Sequence, residues 1–479
     1  MSTASARVAV RRPQDVPEGT PRTRRRAALA LLVSAQFVVM LDTSVVNVAL
    51  PSVQRDLGLG PAGLAWVVNA YVLAFGGLLL LAGRAADVLG RRRMFVVGSA
   101  VFTVGSLLAG SSATEVGLVA GRIVQGVGAA SLSTAAMSLL LVMFPGPARA
   151  GAMSAWGAAS TLGGASGVVV GGVLTGTHGW PWAFFVTVPV TAFAGLLALR
   201  VLDPSPGAGA ARRFDGLGAA LVTGGVLALS HAALSLPQHG LTSPSVLAGT
   251  VLAVVLLVAF ALVESIVPDP LVPLSVFRSR ALTAGVLTAV LGGAARASTF
   301  VLVALYLQQV MHLAPQTAGL AMLPTSVTGF AASLVLLPRV LRALGPERTM
   351  TGGLVVLALG HLWLARTPAA ALYLLDVLPG LLLVAVGVAL SFTPTTMVVA
   401  AALPAARAGL TSGLASSSTQ VGSCLGLATL TAVAIAAGGA PDPAPSSLTG
   451  EGFAAAFRAA AAVALTTGLL ACTLPRPRR

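Results

Sequence analysis

The chain has 479 residues, of which 56% are hydrophobic and 9% charged, with a mean hydropathy of +0.91. This composition excludes a water-soluble globular protein, whose surface needs far more charge. The net charge of +15 is spread over short loops. No basic domain holds these charges together, and no nucleic-acid partner is expected.

Apolar runs recur along the chain with the length of about 20 residues that crosses a hydrocarbon core of about 30 Å. Breaks at Pro, Gly and charge predict fourteen transmembrane helices and no soluble domain. The predicted helices are residues 27–50, 62–82, 94–111, 115–140, 151–176, 182–202, 214–236, 243–265, 282–310, 316–337, 348–366, 371–397, 408–437 and 452–474. The first run is longer than a secretory signal, so the chain is expected to insert through its first helix. Cys424 and Cys472 are interpreted as apolar filler, and no metal or cofactor is expected.

The arginines predict the orientation. The tail before residue 27, the even-numbered loops and the C-terminal end hold 24 of the 29 basic residues, whereas the opposite loops hold only Arg55 and Arg366. By the positive-inside rule, both termini are cytoplasmic. All of these residues are Arg, and the chain is rich in Ala and Gly, which is typical of a G+C-rich bacterial genome. We therefore expect a multi-pass protein of the bacterial plasma membrane.

The first predicted helix carries an acid in the segment "VVMLDTSVVNVALP", namely Asp42. The fourth reads "GRIVQGVGAA", in which Arg122 and Gln125 share a face. An arginine inside a membrane costs about 2.5 to 3.5 kcal/mol and is not filler. Counting from the helix ends puts Asp42 and Arg122 at a similar depth, roughly 10 to 12 Å below the outer surface. Direct or water-mediated pairing is therefore expected.

Two further motifs are rich in glycine. The loop after helix 2 reads "GRAADVLGRRRMF", in which Asp87 is suited to cap a helix or to pair with the arginines that follow. Its other candidate residues are Gly83, Gly90, Arg91 and Arg92; an ordinary positive-inside loop is the alternative. Helix 5 carries Gly163, Gly167 and Gly171 at four-residue spacing, with Gly164 and Gly172 beside them. This stripe suits tight helix packing or a pivot between bundles.

Together these segments resemble the major facilitator superfamily, in particular its fourteen-spanner drug:proton antiporters. Further matching segments are "PWAFFVTVPV", "PLVPLSVFRSRALTAG", "YLQQVMHLAPQTAGLAMLP" and "RAGLTSGLASSSTQVGSCLG", and the match covers essentially the whole chain in the family's order. Three positions depart from the pattern. Val88 replaces an arginine of the loop motif, Val168 replaces the proline of the antiporter motif in helix 5, and Arg342 replaces an acid in the second copy of the loop motif.

The resemblance implies an all-α membrane fold of two six-helix bundles related by a pseudo-two-fold axis, with an alternating-access cavity between them. The bundles would be residues 27–202 and 271–475, joined by an inserted pair at 203–270 and flanked by cytoplasmic tails at 1–26 and 476–479. Helices 1, 4, 9 and 12 would line the cavity. The protein would need no partner beyond protons, a small-molecule substrate and the lipid bilayer, and would work as a monomer.

Within that fold, Asp42 is the predicted proton carrier, with Arg122 tuning its affinity. A structural ion pair, or a hydrogen-bond acceptor in helix packing, is the alternative. The substrate is expected to be a neutral or anionic amphiphile. The predicted contacts are Arg296, Gln308, Gln309, Tyr306, Asn69, Tyr71 and Gln125. Alternatively, Arg296 makes a structural pair, and the Gln and Tyr residues lie at the outer interface.

Proton-coupled export of toxic amphiphiles is the predicted function. A proton-coupled importer has the same architecture, and Val168 weakens the antiporter signature. A membrane-embedded enzyme would need clustered nucleophiles or metal ligands, but the five histidines are scattered along the sequence. A receptor or scaffold would leave Asp42 and Arg122 without a task.

Overall fold

The computed structural model of the chain describes residues 22–204, 215–239, 243–367, 371–404, 407–438 and 449–472. Within these ranges, every regular element is a helix. The helices are α1 Arg22–Leu57, α2 Pro61–Leu89, α3 Arg91–Gly110, α4 Glu115–Met143, α5 Pro147–His178, α6 Trp182–Val201, α7 Gly216–His239, α8 Pro244–Ile266, α9 Arg280–Gln309, α10 residues 315–344, α11 residues 346–364, α12 Tyr373–Ala401, α13 Ala408–Gly438 and α14 Gly450–Cys472. Each predicted helix overlaps one of these fourteen.

The boundary between α10 and α11 is a single glycine. Thirteen helical stretches of the described chain are long and apolar enough to cross a membrane, and one of them, Thr317–Leu364, has 48 residues. At about 1.5 Å per residue it would be about 72 Å long, more than twice a hydrocarbon core. Gly345 interrupts it with φ 76° and ψ 170°, a conformation outside the helical region. The stretch therefore makes two spans, and the described chain has fourteen.

The first helix begins earlier than predicted. Residues 22–26, assigned to the tail from their charge, already form the first turn of α1. Arg24 donates to the carbonyl of Val201 at the C-terminal end of α6 (3.1 Å) and pairs with Asp203 (2.6 Å). Arg25 donates to the carbonyl of Met143 at the end of α4 (3.3 Å). Cations stabilise the negative ends of helices, so these contacts explain why the arginines are helical. Residues 1–21 and 473–479, including most of both predicted tails, lie outside the described ranges.

The same packing pattern appears in both halves of the chain. In the first half, α1–α6, α3 packs against α4, α1 against α5, and α2 against α4. In the second half, α9–α14, the corresponding pairs are α11 with α12, α9 with α13, and α10 with α12. The relation between the halves is the one expected for repeated bundles.

Small residues let the paired helices approach closely. On α3 and α4, a Cβ at Gly121 would meet the backbone of Ala109 at 2.6 Å, and Gly128 faces the backbone of Phe102. On α11 and α12, a Cβ at Gly387 would meet the backbone of Leu357 at 2.5 Å. Close backbone approach compensates for the weak hydrophobic drive between helices in lipid.

The halves meet along two symmetry-related seams, α2 against α13 and α5 against α10. Helices α7 and α8 pack against each other, and α7 also contacts α2 and α13. Only 11% of the most apolar window of α8 is buried, and its mean hydropathy of 3.0 is the highest among the candidate spans. The inserted pair therefore lies at the outside of the α2–α13 seam, with α8 facing lipid.

Candidate functional site

A closed network of polar side chains lies inside the first half. Arg122 Nη1 donates to Asp42 Oδ2 (2.8 Å), and Gln125 Nε2 donates to Asp42 Oδ1 (2.9 Å). Gln125 Oε1 accepts from Arg122 Nη1 (2.8 Å), and Gln125 Nε2 also donates to Ser106 (2.7 Å). We call these four residues the Asp42 cluster. Both oxygens of the carboxylate are thus bonded, and Asp42 is fully buried.

Groups on α2 and α6 surround the arginine of the Asp42 cluster. Arg122 Nε donates to the backbone carbonyl of Val67 (3.1 Å), and its guanidinium carbon lies 4.1 Å from the centre of the Tyr71 ring. Phe184 lies on another side, with its ring centre 5.9 Å away. A guanidinium on an aromatic face gains a cation–π attraction. The arginine is therefore paired with one acid on α1 and contacted by groups on α2 and α6.

The cavity between the halves is a separate space of about 580 Å³. Six helices supply its lining: α1, α5, α9, α10, α12 and α13. The lining residues are Met40, Ser44, Asn47, Val48, Gly157, Ser160, Thr161, Gly164, Val168, Gly293, Arg296, Phe300, Gly319, Met322, Thr325, Ser326, Gly329, Ser333, Ala385, Val388, Ala389, Phe392, Thr393, Thr419 and Ser423. The prediction that helix 4 lines the cavity is not met, because no α4 residue is in this set.

Helix geometry explains why the Asp42 cluster and the cavity are separate. Residues 40, 44, 47 and 48 line the cavity from one face of α1. Asp42 is two positions from Met40 and from Ser44, which is about 200° around a helix with 3.6 residues per turn. Its side chain therefore points into the first half, toward Arg122 on α4, rather than into the cavity.

Arg296 on α9 is the predicted contact residue that does line the cavity. Its side chain is only 4% exposed. Nη1 makes one long hydrogen bond of 3.5 Å to the hydroxyl of Ser391, and the guanidinium carbon is 5.7 Å from the Phe392 ring centre. Nη2 has no hydrogen-bond partner among the described residues. The alternative that Arg296 makes a structural ion pair is not met in the described chain.

The other predicted contact residues lie outside the cavity lining. Tyr306 packs edge-on against Phe453 in the second half, with ring centres 5.6 Å apart. Gln308 is exposed and donates to the backbone of its own helix, and Gln309 is partly buried near the same helix end. Asn69 and Tyr71 are on α2, where Tyr71 covers Arg122. Gln125 belongs to the Asp42 cluster. On α9, helix phase explains the placement: Tyr306, Gln308 and Gln309 do not lie on the helix face that carries Arg296.

Sequence reasoning missed the hydroxyl residues of α5 and α10. Ser160, Thr161 and Gly164 fall on one face of α5, and Met322, Ser326, Gly329 and Ser333 recur at helical spacing on α10. The sequence feature that could have predicted them is a row of polar or small residues at helical spacing within an otherwise apolar span.

A second polar contact closes the α2–α13 seam at the face where α1 begins. We call this the Arg-rich face, since Arg24, Arg25, Arg91, Arg92 and Arg149 lie there. Asp87 Oδ1 accepts from Gly409 N (2.9 Å) and Arg91 Nη2 (3.1 Å), and Oδ2 accepts from Leu410 N (2.8 Å). The carboxylate thus caps the first turn of α13, whose unpaired N–H groups and dipole favour an anion.

Glycines permit this contact. A Cβ at Gly83 would collide with the carbonyl oxygen of Gly409 and lie 3.0 Å from the Cα of Gly413. Gly90 has φ 99° between α2 and α3, so the chain reverses there without strain. Arg92 donates to the carbonyl of Leu199 in α6 and takes no part in the seam. Asp87 and Gly83 of the loop motif thus join the two halves at the Arg-rich face.

The glycine stripe of α5 faces α1. A Cβ at Gly167 would meet Ser44 Cβ at 2.6 Å, and one at Gly171 would meet Val45 Cα at 3.0 Å; Gly163 faces the carbonyl of Phe37. Gly172 has nothing within 4 Å and is not part of this packing. The stripe therefore brings α1 and α5, two helices that line the cavity, into backbone contact.

Comparisons with known proteins agree with this architecture. The chain is 37% identical over 466 residues to the puromycin resistance protein pur8 of Streptomyces alboniger, covering 95% of this chain and 92% of that protein. It is 37% identical over 412 residues to the cephamycin export protein CmcT of Amycolatopsis lactamdurans, covering 85% and 84%. The tetracenomycin C resistance and export protein of Streptomyces glaucescens is 32% identical over 426 residues, covering 87% and 78%.

Solved structures share the fold at low identity. The crystal structure of the transporter FucP in the outward conformation superposes with a TM-score of 0.66 at 13% identity, covering 95% of this chain and all of that one. The human organic anion transporter MFSD10 gives the same TM-score at 16% identity, covering 94% of this chain. The model of the Major Facilitator Superfamily matches residues 32–427. The chain is therefore a multi-pass membrane transporter rather than an enzyme, and it belongs to the major facilitator superfamily.

Proposed function

We propose that this protein exports small amphiphilic antibiotics or related toxic compounds from a bacterial cell in exchange for protons. The three relatives described above are named for resistance to, or export of, different antibiotics, which supports the direction of transport but no single compound. The observation that carries the proposal is the cavity of about 580 Å³ between the halves, lined by apolar and hydroxyl side chains and large enough for a drug-sized molecule.

The Arg-rich face is proposed to be cytoplasmic. The positive-inside rule supports this orientation, as do Arg91, Arg92 and Arg149 at the ends of described helices. Since the contact of Asp87 with α13 closes the seam at this face, the described conformation would be closed to the cytoplasm. We also propose the domain division 27–202, 203–270 and 271–475, which is supported by the repeated packing of α1–α6 and α9–α14.

Alternating access then requires the α2–α13 seam to open while the opposite side closes. The packing of α1 on α5 joins two cavity helices of one half, so that half is suited to move as a unit. Both halves and the cavity belong to one chain, which supports a monomer as the working unit.

Proton coupling is proposed to act at Asp42. Its carboxylate is balanced by Arg122, and protonation would remove the charge that holds the arginine. The opposite face of α1 supplies Met40 and Ser44 to the cavity. A movement of α1 caused by a rearrangement at the Asp42 cluster would thus also move the cavity-lining residues of that helix. One proton supplies about 2.3 kcal/mol per 100 mV and about 1.4 kcal/mol per pH unit. Together, at 100 mV and one pH unit, these sustain a concentration gradient of about 500-fold for a neutral solute exchanged one for one.

The test is drug accumulation and susceptibility in a bacterial host that lacks its main efflux pumps. Cells producing the protein should accumulate less of at least some amphiphilic antibiotics than cells with an empty vector, and should survive higher concentrations. Higher accumulation would instead support the importer and reject export. Equal accumulation across a broad panel would reject both.

The same host tests the role of Asp42. Asp42→Asn should abolish drug-driven proton movement in everted vesicles, whereas Asp56→Asn, an exposed acid near the end of the same helix, should leave it unchanged. Normal proton-coupled export by an Asp42→Asn protein present at wild-type level would remove Asp42 from the proton path.

A further inference from the structure

The cavity carries a positive charge that no described residue of its wall balances. Arg296 is the one charged residue among the described lining residues, and no Asp or Glu is in that set. The two arginines deep in the described helices differ in this respect. Arg122 is paired with Asp42 at 2.8 Å, whereas among the described residues the only side-chain hydrogen bond of Arg296 is the 3.5 Å contact with Ser391. A cation buried without a counter-charge costs several kcal/mol.

The wall is shaped to keep this guanidinium in place. A Cβ at Gly292, one turn earlier on α9, would lie 2.7 Å from Arg296 Nη1. The glycine therefore leaves the room that the side chain occupies beside its own helix. The Phe392 ring on α12 lies on another side, 5.7 Å from the guanidinium carbon. Nη2 is buried and has no acceptor within the described part of the chain, and a ligand in the cavity is positioned to supply one.

A second buried group in the same cavity lacks a partner. Thr325 on α10 is 2% exposed, lines the cavity, and its hydroxyl has no hydrogen-bond partner among the described residues. Buried polar groups of native proteins are normally bonded, so an unpaired group needs an explanation. Two such groups in one cavity, a cation and a hydroxyl, together fit a ligand that accepts hydrogen bonds and carries negative charge.

Most of the remaining wall surface is apolar, although hydroxyl side chains and Asn47 also line it. Met40 and Val48 on α1, Phe300 on α9, and Met322 on α10 contribute thioether, aliphatic and aromatic surface. Flexible Met side chains accommodate apolar bodies of varied shape. A ligand that satisfies this wall has a hydrophobic body and one charged end.

We propose that the cavity selects amphiphiles that carry a carboxylate or a similar anionic group, with Arg296 binding the anion and Thr325 donating a hydrogen bond. This inference names the substrate class of the proposed exporter and rests on that function for its biological role. Anionic amphiphiles are bound in preference to neutral ones, and amphiphilic cations are disfavoured by the unbalanced charge of Arg296.

The test compares three probes with the same ring system: 1-naphthaleneacetate, 1-naphthaleneacetamide and 1-naphthalenemethylamine, which are anionic, neutral and cationic at pH 7. Binding to the full-length protein in nanodiscs of neutral lipid is measured by titration calorimetry, with empty nanodiscs subtracted. The wild-type protein should bind the anion at least about tenfold more tightly than the other two. Arg296→Gln should weaken anion binding by about 10- to 100-fold, the range for a hydrogen bond to a charged group, and leave the amide within about twofold.

Control variants separate charge recognition from structure. Arg296→Lys should keep a preference for the anion, and Thr325→Val should weaken anion binding in a protein that retains Arg296. Arg458→Gln removes an exposed arginine of α14 and should change nothing. If Arg296→Gln does not fold, the Lys and Thr325 variants carry the comparison.

Two results would overturn the inference: wild-type protein that does not prefer the anion, or an Arg296→Gln protein that loses all three probes equally. Because binding is measured without a gradient, the result is independent of export. A protein that binds the anion selectively but changes no drug accumulation in cells would contradict the proposed function instead.

Discussion

Asp87 on α2 accepts hydrogen bonds from the backbone of Gly409 on α13, so a residue of the first half caps a helix of the second. The bond to Gly409 N is 2.9 Å and the companion bond to Leu410 N is 2.8 Å. Residues 87 and 409 are far apart in sequence. At the same seam, Leu80 of α2 belongs to one core cluster with Leu410 and Leu414 of α13, and the Ser412 hydroxyl donates to the carbonyl of Thr134 on α4 (3.2 Å). The cap therefore adds the contribution of one carboxylate to the stability of the closed Arg-rich face.

Asp87→Ala should shift the protein away from the conformation closed at the Arg-rich face. Loss of a helix cap costs about 0.5 to 2 kcal/mol, which changes the ratio of the two conformations by about 2- to 30-fold. The measurement is labelling of a Ser326→Cys reporter in the cavity by an impermeant thiol reagent added outside the cell, after Cys424 and Cys472 are replaced by Ser. Labelling should become slower, by at most that factor, because its rate follows the fraction of protein in the conformation open to the outside.

The control is Asp203→Ala, which removes an acid at the same face that pairs with Arg24 within the first half. It should leave labelling of the reporter unchanged. Equal labelling of the Asp87→Ala and parent proteins would mean that the cap does not set the balance between conformations.

Gly83→Ala should impair transport by a different route. A Cβ at residue 83 collides with Gly409 and lies 3.0 Å from the Cα of Gly413, so the α2–α13 seam cannot close fully. The matched variant is Gly172→Ala on α5, where a Cβ meets nothing within 4 Å. Initial rates of drug export should fall severalfold for Gly83→Ala and stay at the parent value for Gly172→Ala. Equal rates for the two variants would show that the seam tolerates the methyl group.

The sequence predicted the spans well because apolar length and interrupting residues are local properties. It also predicted that Asp42 and Arg122 share a depth, since depth depends on counting residues from a helix end. The structure places them 2.8 Å apart. The loop predicted between helices 10 and 11 was less accurate. Helical structure extends into it from both sides, and only the backbone conformation of Gly345 separates the two spans.

The lining of the cavity was harder to predict, because it depends on how each helix is rotated toward its neighbours. Arg296 faces the cavity, whereas Tyr306, ten residues later on the same helix, is packed against Phe453. Asp42 and Ser44 are two residues apart, yet Asp42 contacts Arg122 inside the first half and Ser44 lines the cavity. The helical spacing of these residues was visible in the sequence, but the partner of each face is decided by tertiary packing.

Removing only one partner of the Asp42–Arg122 pair should destabilise the protein strongly. Asp42→Asn leaves Arg122 as an unpaired buried charge, which is expected to cost about 3 to 5 kcal/mol. The double variant with Arg122→Gln removes both charges and should recover much of that loss. Asp203→Asn, which disrupts an ion pair whose side chains are 39% and 68% exposed, should cost only about 0 to 1 kcal/mol. Apparent thermal unfolding temperatures of the purified proteins test this order. A double variant less stable than Asp42→Asn would contradict it.

Glu264 on α8 should anchor the segment that leads into the second half. Its side chain is buried, and its carboxylate accepts from the backbone N–H groups of Leu271 and Val272, both at 3.1 Å. Glu264→Ala frees two buried donors, at about 1 to 3 kcal/mol each, whereas Glu264→Gln keeps one acceptor oxygen and should lose less. Hydrogen exchange at residues 271–272 should speed up in the order wild type, Gln, Ala. Ser265→Ala, at the exposed neighbouring position, should exchange like wild type; unchanged exchange in Glu264→Ala would show that the carboxylate does not hold this segment.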